Sequence, residues 1–248
     1  MSARDMRIVV VSLRHARERR ERITQQFSEI NLPFEFMDAI DARDLTTEDM
    51  AQVDTRYRRR WGLRPLAPSE LACWRSHVHA IGQASTGPDP MIAIFEDDAI
   101  LRPELPAVLS ALENCPVPFD IVSLGRRQPQ RPLVAGRPLA EGRSMGRIRY
   151  TEYGAYGYVV KKECALHLMN RMSRMRLPVD MELLFFWVHQ LNLYFLDVPV
   201  VEHDDDIPSQ LTADRASVLA GWKTPRLRQI GYRLQMGVRK RIGFRRLV

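Results

Sequence analysis

Three consecutive carboxylates, Glu96, Asp97 and Asp98, follow an apolar run from Met91 to Phe95. Adjacent acids repel one another, so a chain tolerates them where a cation or a ring of Arg and Lys offsets the charge. A divalent ion holding a phosphorylated substrate is one reading. A solvated acidic loop after a strand is the other, and both stand at this point. A second dense group, Glu202, His203, Asp204, Asp205 and Asp206, adds an imidazole to carboxylates. Such a donor set suits Mn²⁺ or a similar ion, or else forms an exposed acidic turn. Arg14, Arg17 and Arg20 stand where a strand gives way to a helix, either to meet an anion beside free helix N–H groups or as a solvated basic face.

The elements that must position these groups follow from periodicity. Met91 to Phe95 reads as a strand covered on both faces, in the middle of an α/β sheet whose ligands bind beyond the carboxyl ends of the strands. Arg7 to Leu13 reads the same way, followed by a helix with Ile23, Phe27 and Ile30 on one face and by a strand over Phe34 to Met37. Asp38 to Trp61 is polar and irregular, a loop or a short helix. Ser69 is placed to cap a helix whose stripe is Leu71, Trp74, Val78 and Ile81, with Cys73, Ser76 and His77 on its flank, where a histidine is more often packed than ligating. A helix over Pro103 to Leu112 and a strand over Phe119 to Gly125 come next. Arg126 to Arg149 is rich in Arg, Pro and Gly and reads as a long loop, of the kind that forms lids and binding loops. Tyr150 to Val160 is aromatic and β-prone, and its Gly154 and Gly157 fit either close approach of backbone to a ligand or a bulge. A helix over Lys161 to Met175 follows, then Asp180 as the N-cap of a helix over Met181 to Leu191, then a last strand over Leu193 to Val201.

At 248 residues, 45% hydrophobic and 27% charged, the chain is long enough for one large α/β domain or two small ones, with a substantial core. Three widely spaced cysteines suggest neither a disulfide framework nor a zinc cluster and fit a reducing compartment. The N-terminal apolar run is too short for a signal peptide's core, and no run is long enough to span a bilayer. The net charge of +7 belongs to the tail: ten Lys and Arg follow Asp214, so the 27 in residues 1–214 face all 30 acids and leave the body at −3. In the tail Leu227, Ile230, Leu234, Val238 and Ile242 recur every three or four residues among the basic ones. That pattern is a basic amphipathic helix, suited to an anionic membrane surface or docked on the acidic body, and no nucleic-acid motif accompanies it.

In order along the chain, VVSLRHARERR, SELACWRSH, IFEDDA, YGAYGYVVKKECA, PVD and VVEHDDDIPSQL resemble the motifs of glycosyltransferase family 25, the lipooligosaccharide galactosyltransferase group with collagen-modifying relatives. Ser69 stands where that family usually has Gly, and Arg75 where it has Leu. The resemblance implies a GT-A-like fold, a Rossmann-related α/β/α sandwich with a mixed, mostly parallel central sheet over residues 1–213, and the charge pattern sets residues 214–248 apart as a basic amphipathic tail. It implies a UDP-galactose or UDP-glucose donor and Mn²⁺ or Mg²⁺, with Asp98, Asp97 and the distant His203 on the metal. Ser12, Leu13, Arg14, Arg20, Ser76, His77, Glu96, Asp97 and Gly154 would contact the donor. Asp180, with Glu182 second, would be the base of an inverting transfer, facing the metal across the cleft. The expected acceptor is a lipid-linked saccharide or oligosaccharide such as a lipopolysaccharide or lipooligosaccharide core. The protein is expected to be cytoplasmic, touching the inner face of the membrane through residues 223–248. A metal-dependent nucleotidyltransferase or phosphoesterase, or a non-catalytic family member acting as a binding module, are the rival readings.

Overall fold

The structure is a computed structural model that describes residues 6–139, 142–204, 210–220, 222 and 226–247. In chain order its elements are β1 (Met6–Ser12), α1 (Arg17–Glu29), β2 (Glu35–Asp38), α2 (Thr47–Ala51), α3 (Thr55–Trp61), α4 (Pro68–Thr86), β3 (Met91–Glu96), β4 (Ala99–Leu101), α5 (Leu105–Glu113), β5 (Ile121–Ser123), β6 (Val134–Pro138), β7 (Ser144–Arg147), β8 (Gly157–Lys161), α6 (Lys162–Arg171), α7 (Val179–Leu184), α8 (Phe186–His189), β9 (Leu193–Leu196), β10 (Val201–His203), α9 (Gln210–Leu219) and α10 (Arg226–Leu247).

Eight strands form the main sheet in the order β2-β1-β3-β8-β5-β9-β7-β6. Only β8 and β7 run against the rest, so the sheet is mixed with six of its eight strands in one direction. The alternation along β3 explains its burial. Ile92 and Ile94 point into a core shared with α4, α6, α7 and α8, while Met91, Ala93 and Phe95 point into a second core shared with α1 and α5. Each successive side chain on a strand takes the opposite face, so an unbroken apolar run is what a strand between two helical layers requires. The α/β/α sandwich expected from the sequence is the architecture observed.

Several local expectations are corrected. Residues 126–149 are not one long loop, because β6 and β7 pair antiparallel and β7 adds to β9, extending the sheet edge. Both strands are short and poor in large apolar residues, which hid them. The helix over Met181 to Leu191 is two short helices, broken at Phe185. The last strand is also split, with β9 in the main sheet and β10 paired to β4. Two expected caps differ as well. Ala67 occupies the N-cap position of α4, where Glu70 accepts the Ala67 N–H at 3.0 Å. Pro178 precedes α7, leaving Asp180 inside its first turn. Arg75 pairs with Asp49, the carboxylate that caps α2, so it ties α4 to the polar 38–61 segment.

Candidate active site

The parallel neighbours β1 and β3 both end at one edge of the sheet, in register from Met6 opposite Met91 to Val11 opposite Glu96. This is the carboxyl end at which ligands of such sheets bind. Ser12 leaves β1 and donates to Asp97 Oδ2 at 2.6 Å, which joins the two strand ends. Arg19 Nη1 donates to Asp97 Oδ1 at 3.1 Å and lies 3.8 Å from Asp98. Arg19 shares the α1 stripe of Ile23 and Phe27, four and eight residues on, and both are buried against the sheet. Its helical phase, visible in the sequence, is what carries it to the acids.

His203 arrives from the far end of the chain. β10 runs antiparallel to β4 with His203 opposite Ala99, and the ladder brings His203 Nε2 to 3.5 Å from Asp98 Oδ2. Asp98 Oδ1 is buried and has no hydrogen-bond partner. A buried acceptor without a partner costs about 1–3 kcal/mol, more when charged. A hard divalent cation held by Asp98 and His203 would remove that cost, so these two residues fit Mn²⁺ or Mg²⁺, while both oxygens of Asp97 are taken by Ser12 and Arg19. Asp205 and Asp206, the rest of that acidic group, lie outside the described residues.

Glu96 has a different setting. His77 is buried on α4, with Nδ1 2.8 Å from the Tyr158 hydroxyl and Nε2 3.0 Å from Glu96 Oε1. Although 24% of the Glu96 side chain opens on the cleft, the protein packed around it, and then Asp98 and Asp97, raise its carboxyl above the usual range against the pull of His77. Asp97 is likewise raised, by burial first, with Ser12 and Arg19 opposing. Cys73 Sγ, His77 and Glu96 bring ligand atoms within 4.8 Å of one another. Both His77 nitrogens are already engaged, one with Tyr158 and one with Glu96, so this trio is not an open ligand set. Burial, followed by the carboxylates of Glu96, Asp180 and Asp98, pushes the Cys73 thiol well up.

Asp180 reaches the same region from α7. Its Oδ2 accepts the Gly154 N–H at 3.3 Å and its Oδ1 the Met181 N–H at 2.9 Å. Gly154 has φ +93, and a Cβ there would sit 2.4 Å from the Tyr156 ring, so this turn requires glycine. Ser76 donates to the Ala72 carbonyl and accepts the Ile40 N–H, both at 2.8 Å, on the cleft wall. Leu13, Ser69, Cys73, Ser76, His77 and the three acids line a cavity of about 140 Å³. The Ser69 hydroxyl is buried there without a partner.

Other expected site residues lie elsewhere. Glu182 is buried away from the cleft, where its Oε1 accepts the N–H groups of Arg176 and Leu177. Arg14 is exposed and pairs with Asp38 at 3.0 Å, and Arg20 braces the Ser12 carbonyl at 2.9 Å and Asp38. These two arginines support the loop after β1 and do not line the cavity.

The family model described as "Glycosyltransferase family 25 (LPS biosynthesis protein)" matches residues 6–131, just over half the chain and the part that carries Ser12, Arg19, His77 and the three acids. This chain is a member of glycosyltransferase family 25. Among its relatives in the family, "Procollagen galactosyltransferase 1-A" of Xenopus laevis is 25% identical over 187 residues, 70% of this chain and 30% of that protein. "Probable inactive glycosyltransferase 25 family member 3" of Bos taurus is 27% identical over 187 residues, with the same coverage of 70% and 30%. This family member thus spans less than a third of those two chains. "Lipooligosaccharide biosynthesis protein lic2B" of Haemophilus influenzae is 25% identical over 243 residues, covering 89% of this chain and 87% of its own.

Proposed function

We propose that this family 25 protein transfers a hexose, galactose or glucose, from a UDP-sugar to a saccharide acceptor of the lipopolysaccharide or lipooligosaccharide core type, with inversion at the anomeric carbon. The observation that carries the reading is the partnerless Asp98 Oδ1 beside Asp97 and His203, at the shared end of β1 and β3. A divalent ion there would neutralise the charge that builds on the departing diphosphate. The open-mouthed cavity of about 140 Å³ is smaller than the roughly 300 Å³ at which whole-ligand pockets begin, so it takes part of the donor and the remainder lies outside it.

In the transfer, an acceptor hydroxyl oxygen bonds to the anomeric carbon as the bond from that carbon to the phosphate oxygen breaks. Asp180 takes the hydroxyl proton, and UDP leaves with the bonding electrons. The Gly154 and Met181 N–H groups hold the Asp180 carboxylate in place. Arg19 and Ser12 fix Asp97, and His77, oriented by Tyr158, fixes Glu96 toward the sugar.

No helix among the described residues is long and apolar enough to cross a membrane. The outward stripe of α10, with Leu227 at 85% and Leu234 at 66% exposure, supports peripheral contact with an anionic surface among the tail's basic residues. The second reading is a non-catalytic binding module, which the relative named as inactive favours.

Thermal shift with UDP and Mn²⁺ tests donor and metal together. The expected result is a rise in Tm that requires both and is lost in Asp98→Asn, with about 100-fold or greater loss of turnover in Asp180→Asn. Binding of neither UDP nor Mn²⁺ would leave the binding-module reading. Full turnover in Asp180→Asn would move the base elsewhere.

A further inference from the structure

Beyond Asp180 the surface opens into a groove of about 480 Å³ between α7, α8 and the body-facing side of α10. One wall is aromatic. Tyr153 packs edge-on against Phe185 with ring centroids 5.8 Å apart, and Phe185 stacks on Trp187 at 4.6 Å. Tyr153 is 43% exposed and directly precedes Gly154, whose N–H holds Asp180. An exposed ring beside the proposed base is a platform for the apolar face of a sugar.

The charge of the groove is one-sided. Every charged residue among the described lining is Arg or Lys, and none is Asp or Glu. Two of these cations are spent on the protein itself: Arg58 donates to the carbonyls of Arg176 and Arg64, and Arg64 forks onto Glu70. Arg233 and Lys240, on the α10 wall, have no carboxylate partner among the described residues. The Lys240 ammonium lies 5.5 Å from the centre of the Trp187 ring, and burial, followed by the nearby charge of Arg131, disfavours its charged form. A group that is cationic, part-buried and beside other cations gains from a bound anion.

We propose that this groove binds an anionic saccharide, a sugar chain whose phosphate or carboxylate group meets Lys240 and Arg233 while its rings lie on Tyr153 and Trp187. The inference rests on the glycosyl-transfer reading, because it is Asp180 that makes the Tyr153 end of the groove the accepting end. It gives α10 a role inside the site, as the wall that selects a charged acceptor.

The test uses the full chain and the fluorescence of the groove tryptophans, with maltotriose and a maltotriose monophosphate as probes. The phosphorylated sugar should bind about tenfold tighter or more, as two charge-assisted contacts allow. The double variant Arg233→Gln with Lys240→Gln should abolish that preference, and Tyr153→Ala should weaken both sugars alike. Affinity for UDP with Mn²⁺ should be unchanged in both variants, since neither touches the donor cavity. Equal affinity for the two sugars, or a preference that survives in the double variant, would overturn the proposal. So would displacement of either sugar only by phosphatidylglycerol vesicles, which would assign the cationic wall to lipid headgroups. If UDP fails to bind the unmodified chain while the sugar preference holds, the donor reading fails and the groove assignment is supported.

Discussion

Replacing Glu182 with glutamine should stabilise the protein at alkaline pH and leave glycosyl transfer in place. Glu182 is 3% exposed, and its Oε1 accepts the N–H groups of Arg176 at 3.3 Å and Leu177 at 3.1 Å. Burial outweighs those bonds and raises its carboxyl to about 7. In the unfolded chain a glutamate titrates near ~4.3. Between these values the folded state keeps a proton that the unfolded state has released, so stability is fully present below the lower value and declines as pH rises through the upper one. Each pH unit in the window is worth about 1.4 kcal/mol, and the whole window about 3–4 kcal/mol. Glutamine retains the acceptor oxygen and has no proton to lose. The Tm of Glu182→Gln should therefore match the unmodified protein near pH 4.5 and exceed it on the order of 10 °C at pH 8.5, taking about 2–4 °C per kcal/mol for a chain of this size. Melting curves recorded in parallel from pH 4.5 to 8.5 decide it. Two curves that stay parallel across that range would refute the burial argument, and a 100-fold fall in turnover would return Glu182 to the base role.

Two further outcomes follow from the geometry. Gly154→Ala should cost about 2–4 kcal/mol in denaturant unfolding, because its Cβ would meet the buried Tyr156 ring at a positive φ, and turnover should fall with it because the Asp180 partner shifts. Changing Ile230, Leu234 and Val238 together to Gln should cut binding to anionic vesicles about tenfold per residue, with stability altered by less than about 0.5 kcal/mol at each site, since all three are exposed. Co-sedimentation beside thermal melting checks both halves.

The sandwich was legible because β1 and β3 have long apolar runs and α1 and α4 have clear stripes, all local signals. The three acids were legible as a cluster at the end of a buried strand, and their mutual repulsion is what makes them a candidate site. The direction of Arg19 is set by its spacing from Ile23 and Phe27, a signal the sequence carries. Two features were not readable. β6 and β7 lack the apolar alternation that marks a strand, because their stability comes from pairing at the sheet edge. Glu182 lies two residues from Asp180, but the backbone N–H groups that claim its carboxylate become visible only once the chain turns at Arg176 and Leu177. The tail stripe of Leu227, Ile230, Leu234, Val238 and Ile242 lies on one side of α10, as its spacing predicts, and the structure turns it outward. Tyr232, Met236 and Phe244 pack inward instead.

The pairing of β10 with β4 also sets when the cleft can exist. His203 and the Asp204 N–H, which donates to the Asp98 carbonyl at 3.0 Å, belong to the same short ladder, and it closes a loop of about a hundred residues. During synthesis, β1, α1 and β3 leave the ribosome well before β10, and at about 5–20 residues per second the gap is about 5–20 s. Over that interval the three acids have Arg19 and His77 beside them but not His203. The last strand therefore acts as a timing element, and a chain that has not yet placed β10 lacks the His203 side of the acidic cluster.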